Sequence, residues 1–140
     1  LEHPFFRRSP PKSTGRDTFG ERYVSAVVES ARTVRSEDLM ASAAEFVAAT
    51  VADSLERFVR PLERLLVAGG GVRNPALLAA LARRVPCPVA TTAEAGVDPK
   101  AREALVFAVL GARCALGIPS THPGATGARA GRVLGKLCPR

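Results

Sequence analysis

Apolar positions along this chain recur at helical spacing in some stretches and form short unbroken runs in others. From Asp17, a candidate N-cap, the residues Phe19, Tyr23, Val24, Val27 and Val28 predict a helix to about Arg32. After a break near Val34, Ser36 offers a cap for a longer helix, with Leu39, Ala43, Phe46, Val47, Thr50, Val51, Leu55, Phe58 and Val59 on one stripe and Pro61 as its stop. The run Leu65 to Ala68 reads as a buried strand that halts at Gly69, Gly70 and Gly71. Asn74 is a good N-cap and Pro75 suits the first helical position, so a helix follows from Asn74 to about Arg84. Pro88 to Thr92 is a second short β-rich run. Asp98 and Pro99 repeat the cap-and-proline start. The helix they open, about Pro99 to Leu116, is apolar nearly all round from Ala104 to Leu110, the pattern of a helix buried on both sides. Val133 to Leu137 offers a short last strand, while residues 1–16 read as an extended loop and 117–131 as a Gly/Pro-rich loop.

Two strands separated by a helix of about ten residues describe a crossover unit in a parallel sheet, so the fold class is α/β. Ligands of such sheets bind beyond the carboxyl ends of the strands, which would let Gly69–Asn74 and Asp98–Glu103 face one site. A glycine turn lets a nucleotide approach the main chain because no Cβ intervenes, yet neither the dinucleotide fingerprint nor the P-loop spacing is present. A tight strand-to-helix turn without a ligand explains it equally well. Glu103, in the first turn of its helix, can hydrogen-bond a sugar hydroxyl or simply favour the helix dipole. Asp98 reads as a cap before it reads as a base. Lys12, Ser13, Thr14 and Arg16 form a compact polar cluster with donors suited to phosphate or sugar oxygens, against which stands a solvated loop. Thr91 and Thr92 line a cleft or serve as ordinary β-branched strand residues. His3 and His122 lack the spaced partners of a metal site or a nucleophile–base pair.

At 140 residues, with 46% hydrophobic and 24% charged residues, the chain has the make-up of one soluble globular domain. It shows neither a membrane-length apolar run nor a signal-peptide stretch at LEHPFFRR, which makes a cytoplasmic setting the default. Cys87, Cys114 and Cys138 are odd in number and widely spaced, and read as reduced and mostly buried. The net charge of +7 is concentrated in residues 99–140, where seven cations meet one acid. Only Phe107 is aromatic there, too few rings for a base-stacking platform, which argues against a nucleic-acid partner. Seventeen of the twenty cations are arginine, as a GC-rich genome also produces. A start at Leu1 on an irregular loop reads as a piece of something longer. The stripe from Ser36 to Arg60 offers a homodimer face, and core packing explains it equally.

Four segments together are similar to one family: HPFF…PPKSTGR-D-x-F at the start, LLVAGGGVRNPALL in the middle, VATTAEAGVDPKAREALVFAVLGAR, and GIPS…P-G-A-T-G-A with VLGKL. In order and spacing the chain resembles the C-terminal part of anhydro-N-acetylmuramic acid kinase. That resemblance implies the C-terminal, nucleotide-side lobe of an actin-like/ribonuclease H-like two-domain kinase, with ATP as co-substrate and Mg²⁺ accompanying it. It implies conversion of 1,6-anhydro-N-acetylmuramic acid, ATP and water to N-acetylmuramate 6-phosphate and ADP in peptidoglycan recycling. It further implies that the triphosphate loops and the main catalytic aspartate belong to a missing N-terminal lobe, so that this piece alone should not turn over. Carried over by residue, Gly69, Gly70 and Gly71 with Asn74 are the adenosine side. Glu103 is similar to a glutamate facing the sugar and its anhydro bridge, and Lys12, Ser13, Thr14 and Arg16 match a substrate-side stretch. Ala93 departs from the family, where an acidic residue more often follows the paired threonines. The alternative is a non-catalytic basic α/β module that binds a nucleotide or an acidic partner.

Overall fold

The computed structural model describes residues 1–59 and 61–138, so Arg60, the expected end of the long helix, and Pro139 and Arg140 lie outside the described residues. The segment 1–16 is not extended throughout. It contains one helical turn, α1 (Pro4–Arg7), with Pro4 at its first position and His3 Nδ1 accepting from the Phe5 N–H at 3.2 Å. The helix expected from Asp17 to Arg32 is two, α2 (Arg16–Phe19) and α3 (Glu21–Ser30), parted at Gly20. Apolar spacing runs on through the break and conceals it. An ideal Cβ at Gly20 would collide with the Arg16 carbonyl, so glycine permits the kink, and Asp17 sits inside α2 instead of capping it.

The long helix is α4 (Ser36–Phe58), whose first residue is Ser36 and whose flanking residue is Arg35. No side chain caps it, which corrects the capping role expected of Ser36; Glu37 and Asp38 in the first turn instead complement the helix dipole. β1 (Leu65–Val67) leads through a 3-10 turn, Gly70–Arg73, to α5 (Pro75–Arg84), and β2 (Val89–Thr91) then pairs parallel to β1, Leu65 against Val89 and Val67 against Thr91. The crossover unit read from the sequence is therefore present.

α5 packs on α4 through Ala48 and Ala80, both fully buried, with Leu81 at 4% and Val85 at 6% exposure. Two alanines at the crossing let the helix backbones come close, and Leu55, Leu65, Val67 and Val89 extend the cluster to the strands. At the rim, Glu45 of α4 accepts from Arg84 Nε at 2.8 Å and also from the Arg83 guanidinium. The Arg84 hydrogen bond first, and that of Arg83 next, hold the Glu45 carboxyl below the usual carboxylate range.

α6 (Arg102–Ala115) corrects the expectation of a helix buried on both sides. Leu105, Val106 and Val109 are exposed and Phe107 is 66% exposed. Periodicity reports what a helix is able to bury, whereas burial itself needs a neighbour, and a two-stranded sheet does not reach around this one. The Gly/Pro-rich loop holds one further turn, α7 (Pro123–Thr126). Residues 133–137 form no strand; the chain instead returns to the loop through Ser120 N–H donating to the Arg132 carbonyl at 2.8 Å. All three cysteines are free, Cys87 and Cys114 half-buried and Cys138 exposed, so the expectation of mostly buried thiols holds for none of them fully.

Candidate functional site

β1 delivers the chain to Gly69 at φ +83°, a backbone region that L side chains rarely adopt. No atom lies within 4 Å of an ideal Cβ at Gly69 or Gly70, so bare main chain forms an open surface beyond the strand. Behind it, Asn74 Oδ1 accepts from the Leu77 N–H at 3.2 Å and Pro75 opens α5, the cap and start that the sequence predicts.

β2 ends beside this turn. The 3-10 turn Thr92–Ala95 follows, closed by Val97 N–H donating to the Thr92 carbonyl at 3.0 Å and by Gly96 at φ +77°. The chain then passes Asp98 and Pro99, and Gly69 N–H donates to the Pro99 carbonyl at 2.9 Å. That bond places the glycine turn next to the lead-in of α6, the juxtaposition expected for Gly69–Asn74 and Asp98–Glu103. Asp98 is not the helix cap. Its Oδ1 accepts from Lys100 N–H at 2.8 Å and its carbonyl from Ala101 N–H at 2.9 Å, making a turn ahead of α6, for which Ala101 stands at the N-cap. Glu103, the second residue of α6, is exposed and its side chain makes no hydrogen bond or ion pair among the described residues.

Two residues gain a definite setting in the structure: Thr92, one of the paired threonines the sequence offers for a cleft, and Arg113, which it does not single out. Thr92 Oγ1, at the carboxyl end of β2, is buried and has no hydrogen-bond partner among the described residues, an uncommon state for a hydroxyl. Its only signal in the sequence is a second threonine where the strand gives way to a turn. Arg113, near the end of α6, donates from Nε to Ser120 Oγ at 3.0 Å and from Nη2 to the Pro119 carbonyl, fixing the GIPS segment to that helix.

The Lys12–Arg16 cluster is divided. Ser13, Thr14 and Arg16 are exposed and their side chains make no hydrogen bond or ion pair among the described residues. Lys12 is half-buried, with Nζ 3.4 Å from the Phe5 carbonyl and 4.8 and 5.1 Å from the centroids of the Phe5 and Phe58 rings. No hydrogen bond or ring contact joins this cluster to the glycine turn among the described residues.

The larger hollows lie elsewhere. An apolar groove of about 790 Å³ runs between the N-terminal helices and α4, lined by Phe6, Phe19, Tyr23, Met40 and Phe46 among others. A second hollow, about 500 Å³, is lined by Leu55, Val59, Pro61, Leu62 and Pro86, at the amino ends of the strands. Gly69 and Gly70 thus form an open surface and line neither of these two hollows. Among the described residues no three His, Cys, Asp or Glu side chains gather to hold a metal ion, and no helix is long and apolar enough to cross a membrane.

The family model for anhydro-N-acetylmuramic acid kinase matches residues 1–140. A curated protein of that name from Salinibacter ruber is 46% identical over 143 residues, an alignment covering 98% of this chain and 36% of the relative. Its counterpart from Burkholderia thailandensis is 43% identical over 145 residues, covering 100% of this chain and 38% of the relative. That from Xanthomonas campestris is 45% identical over 140 residues, with 99% and 37% covered. The chain therefore spans 36–38% of the length of these relatives.

Proposed function

The chain belongs to the anhydro-N-acetylmuramic acid kinase family, and on that premise we propose that it forms part of a cytoplasmic enzyme of peptidoglycan recycling. The reaction consumes 1,6-anhydro-N-acetylmuramic acid, ATP and water. Water opens the anhydro bridge, the γ-phosphoryl group passes to the sugar 6-oxygen, and N-acetylmuramate 6-phosphate and ADP leave. The observation that carries this reading is the family match along all 140 residues. It does not favour the basic binding module.

We assign to this chain the C-terminal, nucleotide-side lobe, a single α/β domain over residues 1–140, facing a second lobe across a cleft. The bare backbone at Gly69–Gly71 supports the adenosine, and Asn74 fixes the helix behind it. Glu103 orients the sugar and the attacking water; a carboxylate free of protein partners at a helix start is suited to accept hydrogen bonds from both. Ser13, Thr14 and Arg16 supply donors toward the substrate. Phosphoryl transfer requires in-line geometry and neutralisation of the transferred charge, which an open platform cannot furnish. Mg²⁺ bound with the triphosphate would supply that neutralisation, and residues 1–140 would leave its protein ligands and the principal catalytic aspartate to the other lobe. Closure of the two lobes assembles the site.

The deciding experiment is ATP-dependent phosphorylation of anhydro-N-acetylmuramic acid by the full reading frame and by the 140-residue piece in parallel. Product from the full frame alone supports both the kinase and the lobe assignment. Product from the 140-residue piece alone would refute the lobe assignment, and no product from a folded full frame would refute the kinase.

A further inference from the structure

Of the polar cluster next to the paired prolines, Lys12 is the member already in use. Its ammonium has the Phe5 carbonyl at 3.4 Å and the faces of Phe5 and Phe58 at 4.8 and 5.1 Å. Phe58 is the last residue of α4, and the Arg57 guanidinium covers the same ring, with Cζ 4.9 Å from its centroid. Arg57 also donates to the carbonyls of Phe6 at 2.7 Å and Arg7 at 3.2 Å, which α1 leaves unpaired at its end, and pairs with Asp53 Oδ2 at 3.2 Å. The N-terminal segment is thereby bolted to the end of α4. On the residue before Lys12, Pro11, the chain meets Gly127 at φ +72°, where an ideal Cβ would lie 3.3 Å from Pro11 Cγ. Contacts at Phe5, Phe6, Arg7 and Pro11 hold the segment ahead of Lys12, while Ser13, Thr14 and Arg16 just beyond it are exposed and their side chains make no hydrogen bond or ion pair among the described residues.

We propose that Lys12 is a positioning residue: clamped between Phe5 and Phe58, it fixes the backbone from which Ser13, Thr14 and Arg16 reach the sugar substrate, and it does not itself contact ligand. Swinging Nζ out to a phosphate or hydroxyl would surrender the carbonyl and both ring faces together. An ammonium between two rings costs little to keep and much to move. The inference rests on the kinase reading for the identity of the substrate, though not for the clamp.

The test uses the full reading frame with Lys12→Met, Lys12→Arg and Phe58→Leu. Two readouts are taken: amide hydrogen exchange without ligand at Thr18 and Phe19, whose N–H groups donate to the Gly15 carbonyl at 3.2 and 3.0 Å, and KM and kcat for anhydro-N-acetylmuramic acid. Lys12→Met and Phe58→Leu should both speed exchange by about two- to thirty-fold, the worth of a lost cation–π contact, and raise KM in step with kcat nearly held. Lys12→Arg, which still stacks on both rings, should restore both readouts, and exchange in α5 should stay unchanged in all three. Unchanged exchange in Lys12→Met together with a raised KM would mean direct ligand contact and overturn the proposal, as would a Phe58→Leu protein that behaves as the parent. If the parent does not phosphorylate the sugar, the kinase reading falls, and exchange alone still decides whether Lys12 is a clamp.

Discussion

Replacing Asn74 tests how the glycine turn is tied to the helix behind it. Asn74 Oδ1 is the side-chain cap of α5, a ten-residue helix whose Ala80 and Leu81 form half of the buried cluster. An uncapped start leaves the Leu77 N–H to water and loosens the turn that leads into Pro75. Asn74→Ala should cost about 1 kcal/mol. With a urea m-value of about 2 kcal/mol/M, the unfolding midpoint should fall by about 0.5 M without a change in slope. Asn74→Gly should lose only a few tenths of that energy. Asn74→Asp keeps the acceptor and adds a negative charge where the helix dipole favours one, so it should equal or exceed the parent. The order Asp, Asn, Gly, Ala is the signature of a cap. An Asn74→Ala midpoint equal to the parent's, or an Asn74→Asp protein as weak as Asn74→Ala, would refute the reasoning.

Other outcomes follow from the same structure. In the full reading frame, Glu103→Gln should lower kcat by about a hundredfold with little change in KM for ATP, as for a group that orients a reacting hydroxyl or water; unchanged turnover in steady-state kinetics removes its role. Glu45 has its carboxyl held low by Arg84 and Arg83, so its stabilisation is present above the ordinary carboxylate pKa and is lost as pH falls through the depressed folded value. Thermal melts of Glu45→Gln and the parent should differ at neutral pH and converge in acid, and a gap that is constant with pH would contradict this. Gly20→Ala should destabilise by about 1–3 kcal/mol, because its Cβ meets the Arg16 carbonyl, and a melt like the parent's would show that the α2–α3 kink opens freely.

What the sequence made legible was local. Asn74 and Pro75 mark the start of α5 because cap and ring act within one turn of chain, and the parallel pairing of β1 and β2 follows from a helix-length spacer between two short apolar runs. The turn at Gly20 escaped because Phe19, Tyr23, Val24 and Val27 keep helical spacing across it, and spacing is blind to a collision between one Cβ and one carbonyl. Asp98 deceived for a related reason: an aspartate before proline suits a cap and a turn alike, and only the path of the backbone chooses. The exposure of α6 was illegible in principle, since amphipathic pattern speaks of capacity to bury and says nothing of what arrives to cover it. The setting of Lys12 was likewise hidden, because Phe5 and Phe58 are brought to it by the fold, the second from far along the chain.

The hydrogen bond from Gly69 N–H to the Pro99 carbonyl joins two loops that leave different strands, four residues before Glu103. Under that bond, a displacement of the first loop would carry the second with it. Under the assignment proposed above, nucleotide and sugar would then press on opposite ends of a common lever. Their affinities would be coupled, and thermodynamics requires the coupling to be mutual: whatever factor ATP contributes to sugar binding, the sugar returns to ATP.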